Sequence, residues 1–129
     1  LQLEAGGNDV VFDLARAAQK LHDYPRVASA MQLLAPEDRP VHAPSHLWQA
    51  TTRLSRQPMS PEDIRVAEIH LRHALRLRPT DMQANQLMGE LQFALGHAEA
   101  AIPYLTQAVA TEPSRKLMLA KALVIVGHA

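Results

Sequence analysis

The feature that most constrains the fold is an internal repeat. Residues 67–79 match residues 101–113 when the sequence is shifted by 34 positions. The shared frame is A-x3-L-x2-A-x4-P, in which Ala67, Leu71, Ala74 and Pro79 correspond to Ala101, Leu105, Ala108 and Pro113. Spacings of three and four place the two alanines and the leucine on one helix face. The alanines allow a neighbouring helix to approach closely, and the proline ends the helix. The frame therefore predicts helices that stack in repeated units.

Glycine, proline and capping residues divide the chain into seven predicted helices, and no segment shows the alternation of a strand. The residues predicted to cap these helices are Asn8 or Asp9, Asp23, Ser45, Ser60, Thr80 and Ser114, with a sixth helix spanning Ala98–Thr111. Ser60-Pro61-Glu62-Asp63 is the strongest start signal, and Thr80 to Gln83 is typical of a capping box. Gly96 is predicted to end the fifth helix in a left-handed turn. We therefore expect an all-α domain.

Residues 82–115 resemble a tetratricopeptide repeat. The matching residues are Met88, Gly89, Ala101, Leu105, Ala108 and Pro113, whereas Asn85 and Gln92 depart from the large residues that the family prefers. The resemblance implies a right-handed α-solenoid of antiparallel helix pairs and a single domain over residues 1–129. Within it, residues 8–36 form a degenerate pair, 45–79 a repeat with a long loop, 82–113 the best repeat, and 114–129 the first helix of a truncated or capping repeat.

The same resemblance implies a concave groove, lined by the first helix of each pair, that binds extended or helical peptides. It places Gln83, Gln86, Glu90 and Phe93 in this groove, on one face of the fifth helix. The alternative for these residues is three solvated polar side chains beside one packed aromatic. Gln83 and Leu87 stand where the family's clamp for a carboxylate terminus has charged or amide residues, which argues against a receptor for chaperone tails.

Composition argues against several classes of partner. Thirteen basic residues balance thirteen acidic ones, so the chain has no net positive charge with which to attract nucleic acid or anionic lipid. There are no cysteines for disulfides or thiolate metal sites. No apolar run reaches the roughly 20 residues of a membrane-spanning helix.

The sequence predicts no catalytic, cofactor or metal site. His42 and His46, and His70 and His73, are spaced like metal ligands, but no third ligand is fixed by spacing. We expect His70 to be half-packed and His73 to be solvated. Glu62 and Asp63 follow a helix start, where carboxylates compensate the helix dipole. The arginines of the fourth helix and the segment before it form either a patch for an acidic ligand or a charged outer face; they are Arg53, Arg56, Arg65, Arg72, Arg76 and Arg78.

These observations favour a non-enzymatic module that binds a protein or peptide partner. The alternative is a structural or assembly spacer within a larger protein, for example one of an envelope or secretion system. The last helix, LMLAKALVIVG, is nearly all apolar, so we expect the array to continue in a parent chain or this helix to mediate a homodimer. The many Arg, Ala, Pro and Leu residues are typical of a bacterial GC-rich genome, and a cytoplasmic and a periplasmic location both remain open.

Overall fold

A computed structural model describes residues 5–127, and every regular element in this range is helical. The seven α-helices are α1 (Ala5–Lys20), α2 (Tyr24–Leu34), α3 (Ala43–Leu54), α4 (Pro61–Leu77), α5 (Met82–Ala94), α6 (Ala98–Thr111) and α7 (Lys116–Gly127). A single 3₁₀ turn, Pro113–Arg115, precedes α7. The all-α prediction with seven helices is therefore confirmed. None of the described helices is both long and apolar enough to cross a bilayer.

The chain divides into two compact units, Leu1–Leu77 and Arg78–Ala129. In the N-terminal unit, α1 packs on α2 and α3 packs on α4; in the C-terminal unit, α6 packs on both α5 and α7. Within each unit, helices that are adjacent in sequence are thus adjacent in space, as in a helical repeat. The single domain over residues 1–129 stays a prediction.

The repeated frame of the sequence forms the most buried positions of both units. The side chains of Ala67, Leu71, Ala101, Leu105 and Ala108 are fully buried. In the C-terminal unit, Leu105 lies in a core with Ala101 and Ala122, against which Phe93 and Met118 pack. The frame residues therefore share a buried helix face, as their spacing predicts, and the close helix approach at the alanines stays a prediction.

The core of the N-terminal unit is built around Met31 and Leu34 of α2. Trp48 of α3 packs on this core and contacts the Phe12 ring edge-on, with ring centroids 5.5 Å apart. The first two helices thus share their apolar surface with α3.

The helix starts follow the predicted chemistry in one place and depart from it in others. At α4, Ser60 Oγ accepts from the Asp63 N–H at 3.1 Å and Asp63 Oδ2 accepts from the Ser60 N–H at 3.0 Å, which confirms Ser60 as the cap. At α5, the prediction that Thr80 is the cap is wrong. Asp81 accepts from the Ala84 N–H at 2.8 Å, because its carboxylate is a stronger acceptor and stands directly before Met82.

Three other predicted caps are also wrong. Asn8 and Asp9 lie inside α1, which begins at Ala5. Ser45 lies in the first turn of α3, whose cap position is His42, because Pro44 already favours helical backbone there. Ser114 lies in the 3₁₀ turn before α7. Gly96 has a φ of 84°, so the left-handed end of the fifth helix is confirmed.

Candidate functional site

The four predicted groove residues of α5 have different surroundings. Gln83 is exposed. Gln86 is buried and its Nε2 donates to Glu90 Oε1 at 2.8 Å, while its Oε1 is buried with no partner among residues 5–127. Phe93 packs partly on the core of the C-terminal unit. The structure therefore joins Gln86 to Glu90 by a hydrogen bond and packs Phe93 on the core of the C-terminal unit. The peptide groove itself stays a prediction.

Phe93 forms one wall of an apolar cleft against α7. The cleft has a volume of about 400 Å³, and its other lining residues are Ala120, Lys121, Val124 and Ile125. Val124 is 58% exposed and Ile125 is 50% exposed, which is high for β-branched apolar residues. The apolar composition of α7 is visible in the sequence, but its contact with Phe93 depends on how α6 positions both helices.

The apolar surface of α7 extends beyond this cleft. Leu117 is 67% exposed and Leu123 is 50% exposed. We use "α7 apolar face" for Leu117, Leu123, Val124 and Ile125. Four large apolar side chains that are each at least half exposed on one short helix are uncommon in soluble proteins unless another surface binds them. They make α7 the candidate docking surface of the C-terminal unit.

A second feature is a cluster of histidines in the N-terminal unit. The ring centroids of His46 and His70 lie 5.2 Å apart, and those of His46 and His73 lie 4.9 Å apart. His46 is fully buried and His70 is 2% exposed, so the expectation that His70 is half-packed is wrong. Sequence spacing suggests a pair of His70 and His73 within one helix. The packing of α3 on α4 instead forms a hydrogen-bonded pair of His46 and His70.

Hydrogen bonds fix the protonation of the buried pair. His46 Nε2 accepts from the Val41 N–H at 3.0 Å, so the proton of a neutral His46 is on Nδ1. That Nδ1–H donates to His70 Nδ1, 2.9 Å away, and the proton of His70 is therefore on Nε2. Burial and the neighbouring His70 lower the pKa of His46 to about 3, and burial lowers the pKa of His70 to about 4. Both rings are neutral at pH 7.

The histidine cluster does not have the geometry of a metal centre. Within the range that the structure describes, no three His, Cys, Asp or Glu side chains are arranged to hold a metal ion. The facing nitrogens of His46 and His70 bond to each other, and His73 Nε2 bonds the Glu37 carbonyl oxygen at 2.6 Å. Both nitrogens of His46, His70 Nδ1 and His73 Nε2 are therefore engaged in hydrogen bonds, and His70 Nε2 carries a proton.

Asp9, His42 and Ser45 are linked by two hydrogen bonds and have the residue types of a hydrolase triad. His42 Nε2 lies 2.8 Å from Asp9 Oδ1, and its Nδ1 lies 2.7 Å from Ser45 Oγ. Ser45 is fully buried and His42 is 7% exposed, so the hydroxyl cannot reach a substrate. These two bonds connect α1 to the start of α3, and no sequence spacing predicts them because Asp9 and His42 are 33 residues apart.

The arginine-rich segment is largely paired with carboxylates. Arg53 and Arg56 bond Asp63 Oδ1 at 3.2 and 2.9 Å, and Arg65 bonds both Glu62 and Glu37. Asp63 also accepts from Ser60, and this backbone hydrogen bond is the main reason that its pKa falls to about 2. The arginines thus organise the start of α4, which weakens the interpretation of a free anion-binding patch.

We expect Asp63→Ala to lower the urea midpoint of the N-terminal unit clearly, because it removes the helix cap and leaves Arg53 and Arg56 without their shared partner. Trp48 fluorescence measures this transition, since it is the only tryptophan and lies on the core of that unit. The control is Glu62→Ala, which removes the adjacent but exposed carboxylate. Equal midpoints for the two variants would contradict the assigned role.

No model of a known protein family matches the chain, and no curated protein matches it with significant similarity.

Proposed function

We propose that the chain is a non-catalytic interaction module of the tetratricopeptide type, a right-handed solenoid whose C-terminal unit binds an apolar peptide or helix of a protein partner. The observation that carries the proposal is the cleft between Phe93 and the α7 apolar face. Covering exposed apolar side chains contributes about 25 cal/mol per Å² of apolar area. A partner with a complementary apolar face would therefore bind here.

The position of the cleft agrees with the resemblance. In the tetratricopeptide pattern, α5 and α7 are the first helices of two successive pairs, and ligands lie on first helices. Phe93 belongs to α5, and Val124 and Ile125 belong to α7. Glu90 and Gln86 lie about one and two turns before Phe93 on α5, where they can supply polar contacts at the rim of an apolar interface.

Burial of Ser45 supports a binding role over hydrolysis. The Asp9–His42–Ser45 chain is the arrangement within residues 5–127 that most resembles a nucleophilic site, and its hydroxyl is enclosed. Peptide-binding modules of this kind rely on a few apolar anchors in a groove, for which Phe93 and the α7 apolar face are suitable.

We expect Val124→Lys to weaken partner binding at least about tenfold, because a charged side chain would replace an apolar anchor. The probe is a displayed library of random peptides about 16 residues long, selected on the intact chain and measured by fluorescence anisotropy. Val10→Lys is the matched control, since Val10 on α1 is 59% exposed and Val124 is 58% exposed.

The proposal predicts that selected peptides carry apolar residues at helical spacing and lose affinity only with Val124→Lys. Light scattering tests whether a second copy of the chain occupies the cleft. In that case the unmodified chain and Val10→Lys would be dimers, and Val124→Lys would be a monomer. Peptides that bind Val124→Lys as tightly as the unmodified chain would overturn the assignment of the site.

A further inference from the structure

A second cleft lies within the N-terminal unit. Its volume is about 470 Å³, and it is walled by α2, α3, α4 and the turn after α2. Val27, Met31 and Val66 form an apolar portion. Its polar lining groups include Gln49, Arg53 and His70. The cleft therefore offers one apolar contact region and several hydrogen-bonding groups.

His70 presents an unused donor at this cleft. Because His46 Nδ1–H donates to His70 Nδ1, the remaining proton of His70 is on Nε2. The residue is 2% exposed and lines the cleft, and no side chain or carbonyl of residues 5–127 accepts from that Nε2–H. Among the described residues the enclosed side-chain atom that lacks a partner is Gln86 Oε1, so His70 Nε2–H is open to the cleft, where an oxygen acceptor of a ligand can replace solvent.

The charges around the cleft favour a neutral acceptor over an anion. Arg53 shares Asp63 with Arg56, which leaves one positive charge on that side. Glu37 and Glu62 share Arg65, which leaves one negative charge on the other side. The charges cancel, and the Glu37 carboxylate lines the same cleft as His70. A carboxylate or phosphate ligand would gain little from this field and would be repelled by Glu37.

The remaining polar groups match the chemistry of a peptide main chain. Gln32 and Gln49 both line the cleft, and each carries an amide with donors and an acceptor. A peptide group presents the same donor and acceptor pair. Val27, Met31 and Val66 provide room for an apolar side chain beside it. These groups together suit an extended segment rather than a compact anion.

We propose that the cleft between α2, α3 and α4 is a second binding site, which takes an extended, uncharged peptide segment whose main-chain carbonyl oxygen accepts from His70 Nε2–H. The amides of Gln32 and Gln49 pair with its peptide groups, and one of its apolar side chains packs on Val27 and Met31. The tetratricopeptide pattern places ligands on first helices, whereas α2 and α4 are second helices. The site is therefore independent of the proposed α7 interface.

Imidazole nitrogen NMR on the intact chain tests the site directly. The unliganded protein is expected to show His46 protonated on Nδ1 and His70 protonated on Nε2. The probe is a set of acetylated and amidated heptapeptides without charged residues, compared with the same sequences carrying a free carboxylate terminus. Binding of capped peptides is expected to shift the His70 Nε2–H signal and to slow its exchange with water.

Two matched variants on α2 locate the ligand. Ala28 is exposed and lines the cleft, so Ala28→Phe fills the cleft and is expected to weaken binding of the capped peptides at least tenfold. Ser29 is equally exposed but does not line the cleft, so Ser29→Phe is expected to leave binding unchanged. Val124→Lys should also have no effect here, which separates this site from the α7 interface.

Three results would overturn the proposal. The first is the absence of any shift of the His70 Nε2–H signal at saturating concentrations of all capped peptides. The second is tighter binding of the free-carboxylate peptides, which would assign the cleft to an anion. The third is unchanged affinity in Ala28→Phe, which would place the peptides elsewhere on the chain.

Discussion

Lowering the pH from about 7.5 to about 4.5 is expected to reduce the free energy of unfolding of the N-terminal unit by about 3 kcal/mol or more. The cause is the buried pair of His46 and His70. Burial lowers the pKa of His46 from 6.5 to about 3 and that of His70 from 6.5 to about 4. A loss of this size is a large part of the stability of a small domain.

The sign follows from proton counts in the two states. Unfolded histidines bind protons as the pH falls through 6.5, whereas the folded pair stays neutral until pH values near 4 and 3. Between these limits the unfolded chain holds more protons, so stability decreases as the pH falls. His42 and His73 lower the pKa of His46 further by repulsion, and Glu37 acts in the opposite direction on His70. Asp63, with a pKa of about 2, adds a loss only in stronger acid.

Urea unfolding followed by Trp48 fluorescence at a series of pH values measures this effect. A variant with both His46→Leu and His70→Leu removes the titrating pair and is expected to flatten the dependence between pH 6.5 and 4. His22→Asn is the control, since His22 is exposed and asparagine tolerates its φ of 59°. A pH dependence that persists in the double variant would show that other groups cause the acid sensitivity.

Gly89→Ala is expected to destabilise the C-terminal unit by about 1–3 kcal/mol. In an exposed helix the same change would stabilise by about 1 kcal/mol. Here an added Cβ would overlap Leu105 Cδ2 and would lie 2.6 Å from Leu105 Cγ. Leu105 is fully buried, so its side chain has no free space into which to move. Packing therefore outweighs helix propensity at this position.

Hydrogen exchange of the α5 and α6 amides measures the loss, and Gly6→Ala is the control. Gly6 is also helical, but a Cβ there meets nothing within 4 Å. In a Leu105→Ala background, Gly89→Ala is expected to cost much less, because the overlapping atoms are gone. The proposed contact is wrong if Gly89→Ala has the same effect in both backgrounds.

Local patterns in this sequence predict the helices well because the signals act within one or two turns. The alanine-leucine frame gave the buried face of α4 and α6, and Ser60 gave the start of α4. Caps were less predictable where two acceptors competed. Thr80 and Asp81 are adjacent, and the charged side chain forms the bond.

The candidate sites depend on contacts between helices, which no local pattern encodes. The position of Phe93 on α5 predicts a place in a groove, but the cleft that it lines also requires residues of α7. The helix pattern alone predicts that His70 is half-packed. The packing of α3 on α4 buries it against His46. Spacing within a helix identifies which residues share a face, and tertiary packing determines what that face contacts.

The hydrogen bonds from His42 to Asp9 and Ser45 have a consequence for methods that search structures for enzyme active sites. Asp9, His42 and Ser45 lie within hydrogen-bond distance like a Ser-His-Asp triad, although Nε2 rather than Nδ1 faces the carboxylate and the serine oxygen is enclosed by protein. Such a constellation arises here from the need to pair polar groups where two helices meet. Searches that match only residue types and side-chain distances would select this arrangement, whereas searches that also test which imidazole nitrogen faces the serine and whether the serine is accessible would reject it.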